Sequence, residues 1–232
     1  MNQSEKYPRT FHYPFSPGTT SDDRINHNYW EDLQKIKNIV HTEKLDGENT
    51  CLNKYGVFAR SHATPTSHPW ANYLKVKWNI MKHDLSDLEI FGENLYATHS
   101  IEYLNLENHF FVFGIRENGL WLSWEETKFY AKLFDFEMVP EIEILKVDDD
   151  KDKYENNILN IIKKKSEFDS FDTFLNEEAT MEGIVTRNIE SYDSVNFKEN
   201  VFKYVREGHV KTGKHWRNNW KRNKLVWERQ AK

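Results

Sequence analysis

The chain has 232 residues, enough for one substantial domain with an appendage or for two small domains. With 38% hydrophobic and 30% charged residues it reads as a soluble globular protein with a real core, and a formal net charge of −5 excludes a general polycation. The single cysteine, Cys51, rules out an internal disulfide. No Cys/His spacing suggests a zinc site, and no run approaches the roughly 18 apolar residues of a membrane span, so the default expectation is a reducing, cytoplasmic setting with no membrane partner.

Residues 1–24 read as loop, with a turn at Ser16-Pro17-Gly18. Ser21 or Asp22 is placed to cap a helix through Leu33, with Ile25, Tyr29 (or Trp30), Leu33 and Ile36 on its apolar side. The acidic pair Asp22 and Asp23 then reads as a solvated helix start. Ile39-Val40 and Thr50-Cys51-Leu52 flank Lys44-Leu45-Asp46-Gly47, which predicts a strand, a tight turn and a return strand with Lys44 at the rim. A turn at Lys54-Tyr55-Gly56 precedes a strand ending in Arg60. His62 and His68 share a loop without acidic or Cys partners and read as surface residues.

Residues 71–82 fit a helix with Leu74, Trp78 and Met81 on one face. Leu88–Tyr96 is a strand containing Gly92-Glu93. His109–Ile115 is a near-continuous apolar strand, paired with Leu120-Trp121-Leu122 across Asn118-Gly119. Ser123 and Glu126 match a capping box that opens a helix through Phe136, with Phe129 and Leu133 expected inward. Residues 141–180 are acidic and Lys-rich, read as a variable segment with helices over 154–165 and 170–178. Met181–Arg187 is a strand that opens on Glu182-Gly183, and Phe197–Val205 leads into a strand bearing Lys203. The tail, 206–232, interleaves Trp216, Trp220 and Trp227 with nine cations, among them Arg206, Lys211, Lys214 and Arg217. That mixture suits either a nucleic-acid surface or an amphipathic helix packed on the body.

Taken in order, Lys44-Leu45-Asp46-Gly47, the Arg60 strand, Gly92-Glu93, the aromatic strand Phe110–Phe113, Glu182-Gly183-Ile184-Val185 and the Lys203 strand resemble the motif series of the covalent nucleotidyltransferases. The blocks YPRTFHYPFSPGTTSDDR, FGENLYATHSI and FKYVREGHVKTGKHW bring the resemblance closest to the ATP-dependent RNA ligases. It spans nearly the whole chain and is weakest over 141–180. Only 29 residues follow Lys203, too few for the oligonucleotide-binding barrel of DNA ligases and capping enzymes. That favours an RNA ligase over a DNA or polynucleotide ligase. A non-catalytic RNA-binding protein on the same fold is the alternative from a different class.

The resemblance implies an α+β fold, with two antiparallel sheets flanked by helices and ATP in the cleft between them. The adenylyltransferase domain would be 1–205 and the basic, Trp-rich tail 206–232. It implies Lys44 as nucleophile, with Asp46 and Gly47 shaping the turn that presents it. Glu43 would accept from the adenine amino group, Arg60 and Glu93 would hold the ribose, and Phe113 (or Phe111) would stack on the base. Glu182 would bind Mg²⁺ or Mn²⁺, and Lys203 would neutralise the α-phosphate. The family's last motif commonly has two lysines one residue apart; here Val201 and Val205 flank Lys203, so a second cation falls to Arg206, Lys211 or elsewhere. RNA with 5′-phosphate and 3′-hydroxyl ends is the implied substrate, with an end-healing kinase or phosphatase as a further partner. Neighbouring cations and burial are expected to lower the Lys44 pKa from its ordinary value near ~10.4, as nucleophilic attack requires.

Overall fold

The computed structural model describes residues 5–60, 64–173, 176–208 and 220–231. His62, Lys211, Lys214, Trp216 and Arg217 lie outside them. No helix among the described residues is long and apolar enough to cross a membrane.

Two large sheets lie face to face. The first runs in the order Phe11–His12, Val201–Val205, Gly183–Asn188, Asn38–Glu43 and Glu141–Lys146, antiparallel except for the first pair. The second runs Tyr192–Asp193, Leu120–Trp121, Phe110–Glu117, Leu88–Asn94, Glu48–Asn53 and Gly56–Ala59, with Glu137–Met138 added in parallel to Phe110–Glu117. Between the sheets Val40, Val185 and Val201 from one meet Cys51, Phe58, Phe91 and Phe113 from the other. Helices Asn72–Met81 and Trp124–Leu133 cover the outer face of the second sheet through Leu74, Met81 and Ala131. Helices Tyr29–Leu33 and Lys151–Ile161 cover the outer face of the first through Tyr29, Leu33, Tyr154 and Ile158. Each sheet therefore buries both faces, which is why its strands read as apolar runs.

Several expectations hold in detail. The hairpin at Asn118-Gly119 has positive φ at both residues (49° and 83°), the backbone that a two-residue turn matched to strand twist requires. The capping box at Ser123 forms, with Glu126 N donating to Ser123 Oγ and Ser123 N donating to Glu126 Oε2.

Others are corrected. The strands on either side of Lys44 are not a hairpin: Asn38–Glu43 belongs to the first sheet and Glu48–Asn53 to the second. Gly47 avoids the left-handed region that a tight Asp-Gly turn would use; a Cβ there would sit 2.6 Å from the Asn94 carbonyl oxygen, so glycine serves close approach. The helix expected to start at Ser21 or Asp22 covers only Tyr29–Leu33, with Asn28 at the position before it and no side-chain cap. Phe129 and Leu133 point outward, 62% and 61% exposed, because the capped start at Trp124 sets Trp124, Thr127 and Ala131 on the inner stripe. Where a helix was expected over 170–178, strands Ser170–Asp172 and Glu177–Glu178 pair instead, beside Ile101–Tyr103. Left-handed Asp169 and Asn176 punctuate that segment. Glu141–Lys146, within the segment read as variable, is an integral edge strand of the first sheet.

Candidate active site

The chain changes sheet over Lys44–Gly47, and this crossover opens a cavity of about 200 Å³ between the sheets. Its walls include Glu43 and Lys44, Val185 and Lys203 of the first sheet, and Asn49, Glu93 and Phe113 of the second, with Arg60 at its margin. The backbone holds Lys44 in place: its amide donates to Gly183 O at 2.9 Å. Gly183 must be glycine there, since a Cβ would lie 1.9 Å from the Tyr204 carbonyl oxygen.

Lys44 Nζ meets both oxygens of buried Glu182, at 2.7 and 2.8 Å. Burial pulls the lysine pKa down, but Glu182, Glu93 and Asp46 outweigh it and hold the ammonium above its ordinary value. The expectation of a lowered pKa is thus reversed: the near neighbours are carboxylates. Glu93 accepts from the Gly47 amide at 3.1 Å; burial pushes its carboxyl up to about 8 despite the pull of Lys44. Glu43 is 2% exposed. Its Oε2 accepts from the Glu167 amide at 3.0 Å, while Oε1 has no hydrogen-bond partner among the described residues. Burial pushes this carboxyl up to about 7, against the Ser166 hydroxyl and the Glu167 amide. An orphaned, buried acceptor at the cavity wall suits a donor on a bound ligand.

Phe113, rather than Phe111, lines the cavity; Phe111 packs on Phe168, ring centroids 4.8 Å apart. Asp46 is brought close without lining it. Its Oδ2 accepts from the amides of Ser100 and Ile101 at 2.8 and 2.9 Å, which pins the crossover to the next loop. Arg206 is not brought into the cavity: its guanidinium lies 3.9 Å from Asp172. Arg206 lies just past the end of strand Val201–Val205, whose inner face presents Lys203.

Three cavity-side residues escaped the sequence reading. Asp23, read as a solvated helix start, lies 3.1 Å from Lys203 Nζ and 3.1 Å from His12 Nε2. Burial raises its pKa, but the Thr20 amide and Lys203 outweigh that and keep it ionised. Burial and the Lys203 charge push His12 down to about 4, so it is neutral beside this pair. Arg187 sits over the Phe113 ring at 5.5 Å and donates to Thr42 Oγ1. Tyr7 wedges edge-on against Phe113 at 5.1 Å. Arg187 was findable, because Gly183, Val185 and Arg187 share one face of their strand. Tyr7 and Asp23 lie in loop and carry no periodic signal.

Among the described residues no group of three or more His, Cys, Asp or Glu side chains could hold a metal ion by itself. A hard cation such as Mg²⁺ commonly takes one or two carboxylates and fills its shell with water and phosphate oxygens, which the buried Glu182 carboxylate at Lys44 fits.

The family model described as RNA ligase matches residues 37–205. No curated protein matches the chain in sequence. Among solved structures, an aspartate-to-alanine variant of Naegleria gruberi RNA ligase without ligand aligns with TM-score 0.54 and 18% identity, over 84% of this chain and 57% of that one. A lysine-to-alanine variant of the same ligase, with ATP and Mn, aligns with TM-score 0.55 and 17% identity, over 88% and 62%. The likeness carries the nucleotidyltransferase fold, and the chain spans about three fifths of the length of these structures.

Proposed function

We propose, from the premise that the chain belongs to the RNA ligase family, that it is an ATP-dependent RNA ligase working through a lysyl-AMP intermediate. One observation carries the reading: Lys44, bound to Glu182 at 2.7 Å, opens on a cavity that also holds Glu43, Arg60, Glu93, Phe113 and Lys203. In this reading Lys44 Nζ forms a bond to the α-phosphorus of ATP, the α–β phosphoanhydride breaks and pyrophosphate leaves. An RNA 5′-phosphate oxygen then takes the AMP from the lysine. A 3′-hydroxyl finally attacks the activated 5′-phosphorus, sealing the strand and releasing AMP.

The protein's contribution is positioning and charge. Glu43 offers its orphaned oxygen to the adenine amino group, Phe113 its ring to the base, and Arg60 and Glu93 their polar groups to the ribose. Lys203 meets the α-phosphate once Asp23 yields it, and Arg187 is the further cation within the same cavity. Glu182 is the carboxylate for Mg²⁺ or Mn²⁺, which when bound neutralises phosphate charge. Its carboxylate charge, once shared with a cation, no longer holds the Lys44 proton so tightly. We assign residues 1–205 to the adenylyltransferase unit and 206–232 to a basic tail, place the protein in the cytoplasm, and take RNA ends prepared by a kinase or phosphatase as substrate.

The test is incubation with Mg²⁺ and ATP labelled in the α-phosphate. Wild-type protein should carry covalent label on a denaturing gel and Lys44→Ala none. Absence of label on wild-type protein freed of AMP would sink the proposal and leave a binding module on the same fold.

A further inference from the structure

One residue past the Lys44 crossover, Glu48 Oε2 accepts from Trp70 Nε1 at 2.9 Å. This bond joins the cavity rim to a band of aromatic rings. His68 stacks on Trp70 with centroids 4.4 Å apart and planes 10° from parallel. Trp220 meets Trp70 at 5.6 Å and Tyr96 at 6.0 Å, and Tyr96 stacks on Tyr73 at 5.2 Å. The Arg222 guanidinium lies 5.3 Å from the Tyr96 ring centre. Trp70 is buried, but His68, Tyr96 and Trp220 keep part of their surface in solvent, and Arg222 and Lys224 are exposed.

The plainer reading is that these rings dock the tail. Docking, however, has its own machinery. Asn223 is fully buried, with Nδ2 donating to Leu95 O at 2.7 Å and Oδ1 accepting from Thr98 Oγ1 at 2.9 Å. Its carbonyl lies 2.8 Å from His109 Nε2, and Lys221–Arg222 pairs with Ala97–Thr98. The partly exposed surface of His68 and Trp220 and the outward Lys221 and Lys224 are surplus to that attachment, whereas Arg222 pairs with Glu228 Oε1 at 2.7 Å. Charge is also segregated: residues 206–232 carry a net charge of +7 and the remainder −12.

Resting on the ligase reading, we propose that this face binds single-stranded RNA and holds the strand beside the cavity in which its end reacts. Partly exposed rings flanked by cations match a polyanion with unstacked bases, whereas in a duplex the neighbouring pairs cover the base faces. An acidic protein partner would use the cations but leave the ring surfaces idle.

The experiment measures anisotropy of a short, fluorescently labelled, 5′-phosphorylated single-stranded RNA on the full chain, with self-adenylylation followed in parallel. Trp220→Ala should weaken binding about tenfold, the loss of one stacked base. The double variant Lys221→Gln with Lys224→Gln, which leaves the rings in place, should make the plot of log affinity against log salt shallower by about 1.4. Both should still label Lys44 with AMP at the wild-type rate. Unchanged affinity and salt slope with labelling intact would overturn the inference, as would equal loss of duplex binding. Failure of wild-type protein to label counts against the ligase reading, and the anisotropy result then judges this face independently.

Discussion

At the scale of single residues, the telling fact is that Lys44 is held by acids. An amine in a ring of carboxylates is a poor nucleophile until their charge is neutralised, so the protein without ligand stores Lys44 in its inactive, protonated form. Replacing Glu182 by Gln should therefore speed modification of Lys44 by an amine-reactive reagent at pH 8, read by peptide mass spectrometry; an unchanged rate would contradict the assignment. Glu43 and Glu93 make a second prediction. Their folded pKa values, about 7 and about 8, lie above the ordinary 4.5, so the folded state binds more protons than the unfolded chain between those limits. Stability contributed by each is full below about 4.5 and is lost as pH rises through 7 to 8. A series of Tm values from pH 5 to 8.5 should fall across this window, and Glu43→Gln should flatten the fall. The Lys44 motif is legible in sequence, but its charge state is not, because Glu182 and Glu93 approach it from distant strands.

At the scale of elements, the crossover at Lys44–Gly47 does what a hairpin could not: it puts one strand on each side of the cavity. Asp46 secures it through the amides of Ser100 and Ile101. Asp46→Ala would leave two amides without their acceptor, at about 1–3 kcal/mol each. It should lower Tm and, by letting Lys44 drift, slow self-adenylylation by up to about 100-fold. Wild-type labelling kinetics in a folded Asp46→Ala protein would show that the anchor is dispensable. In sequence an Asp-Gly pair between two apolar runs signals a tight turn. Only the partners of each run, the Ile184 strand for one and the Phe91 strand for the other, reveal that the runs part company.

At the scale of the whole molecule, the acidic segment after Pro140 is part of the frame. Its first strand extends the Lys44 sheet, and Tyr154 of its helix reaches Tyr13, hydroxyl to hydroxyl, at 2.7 Å within a core that includes Ile184 and Phe202. Those two strands are the ones that carry Glu182-Gly183 and Lys203, so the helix supports the cavity from behind. Tyr154→Phe should cost about 1 kcal/mol and Tyr154→Ala about 3–5 kcal/mol in urea unfolding. With total stability of about 5–15 kcal/mol expected for a domain, the second loss is large. A variant Tyr154→Ala as stable as wild type would mark the segment as an appendage after all.

Sequence pattern alone was enough for most strands of the two large sheets and for the order of the chemical groups along them. Both follow from short-range patterns: apolar runs, an Asn-Gly turn, a capping box, and motif residues at strand ends. Which runs pair, which face each helix buries and which charges meet were set by packing across the fold. The Lys44 flanks lie in different sheets, Phe129 faces out, Asp23 sits on Lys203 and Arg187 lies over Phe113. These depend on contacts between residues far apart in the chain, whose energies come from burial and Coulomb terms that no local pattern records.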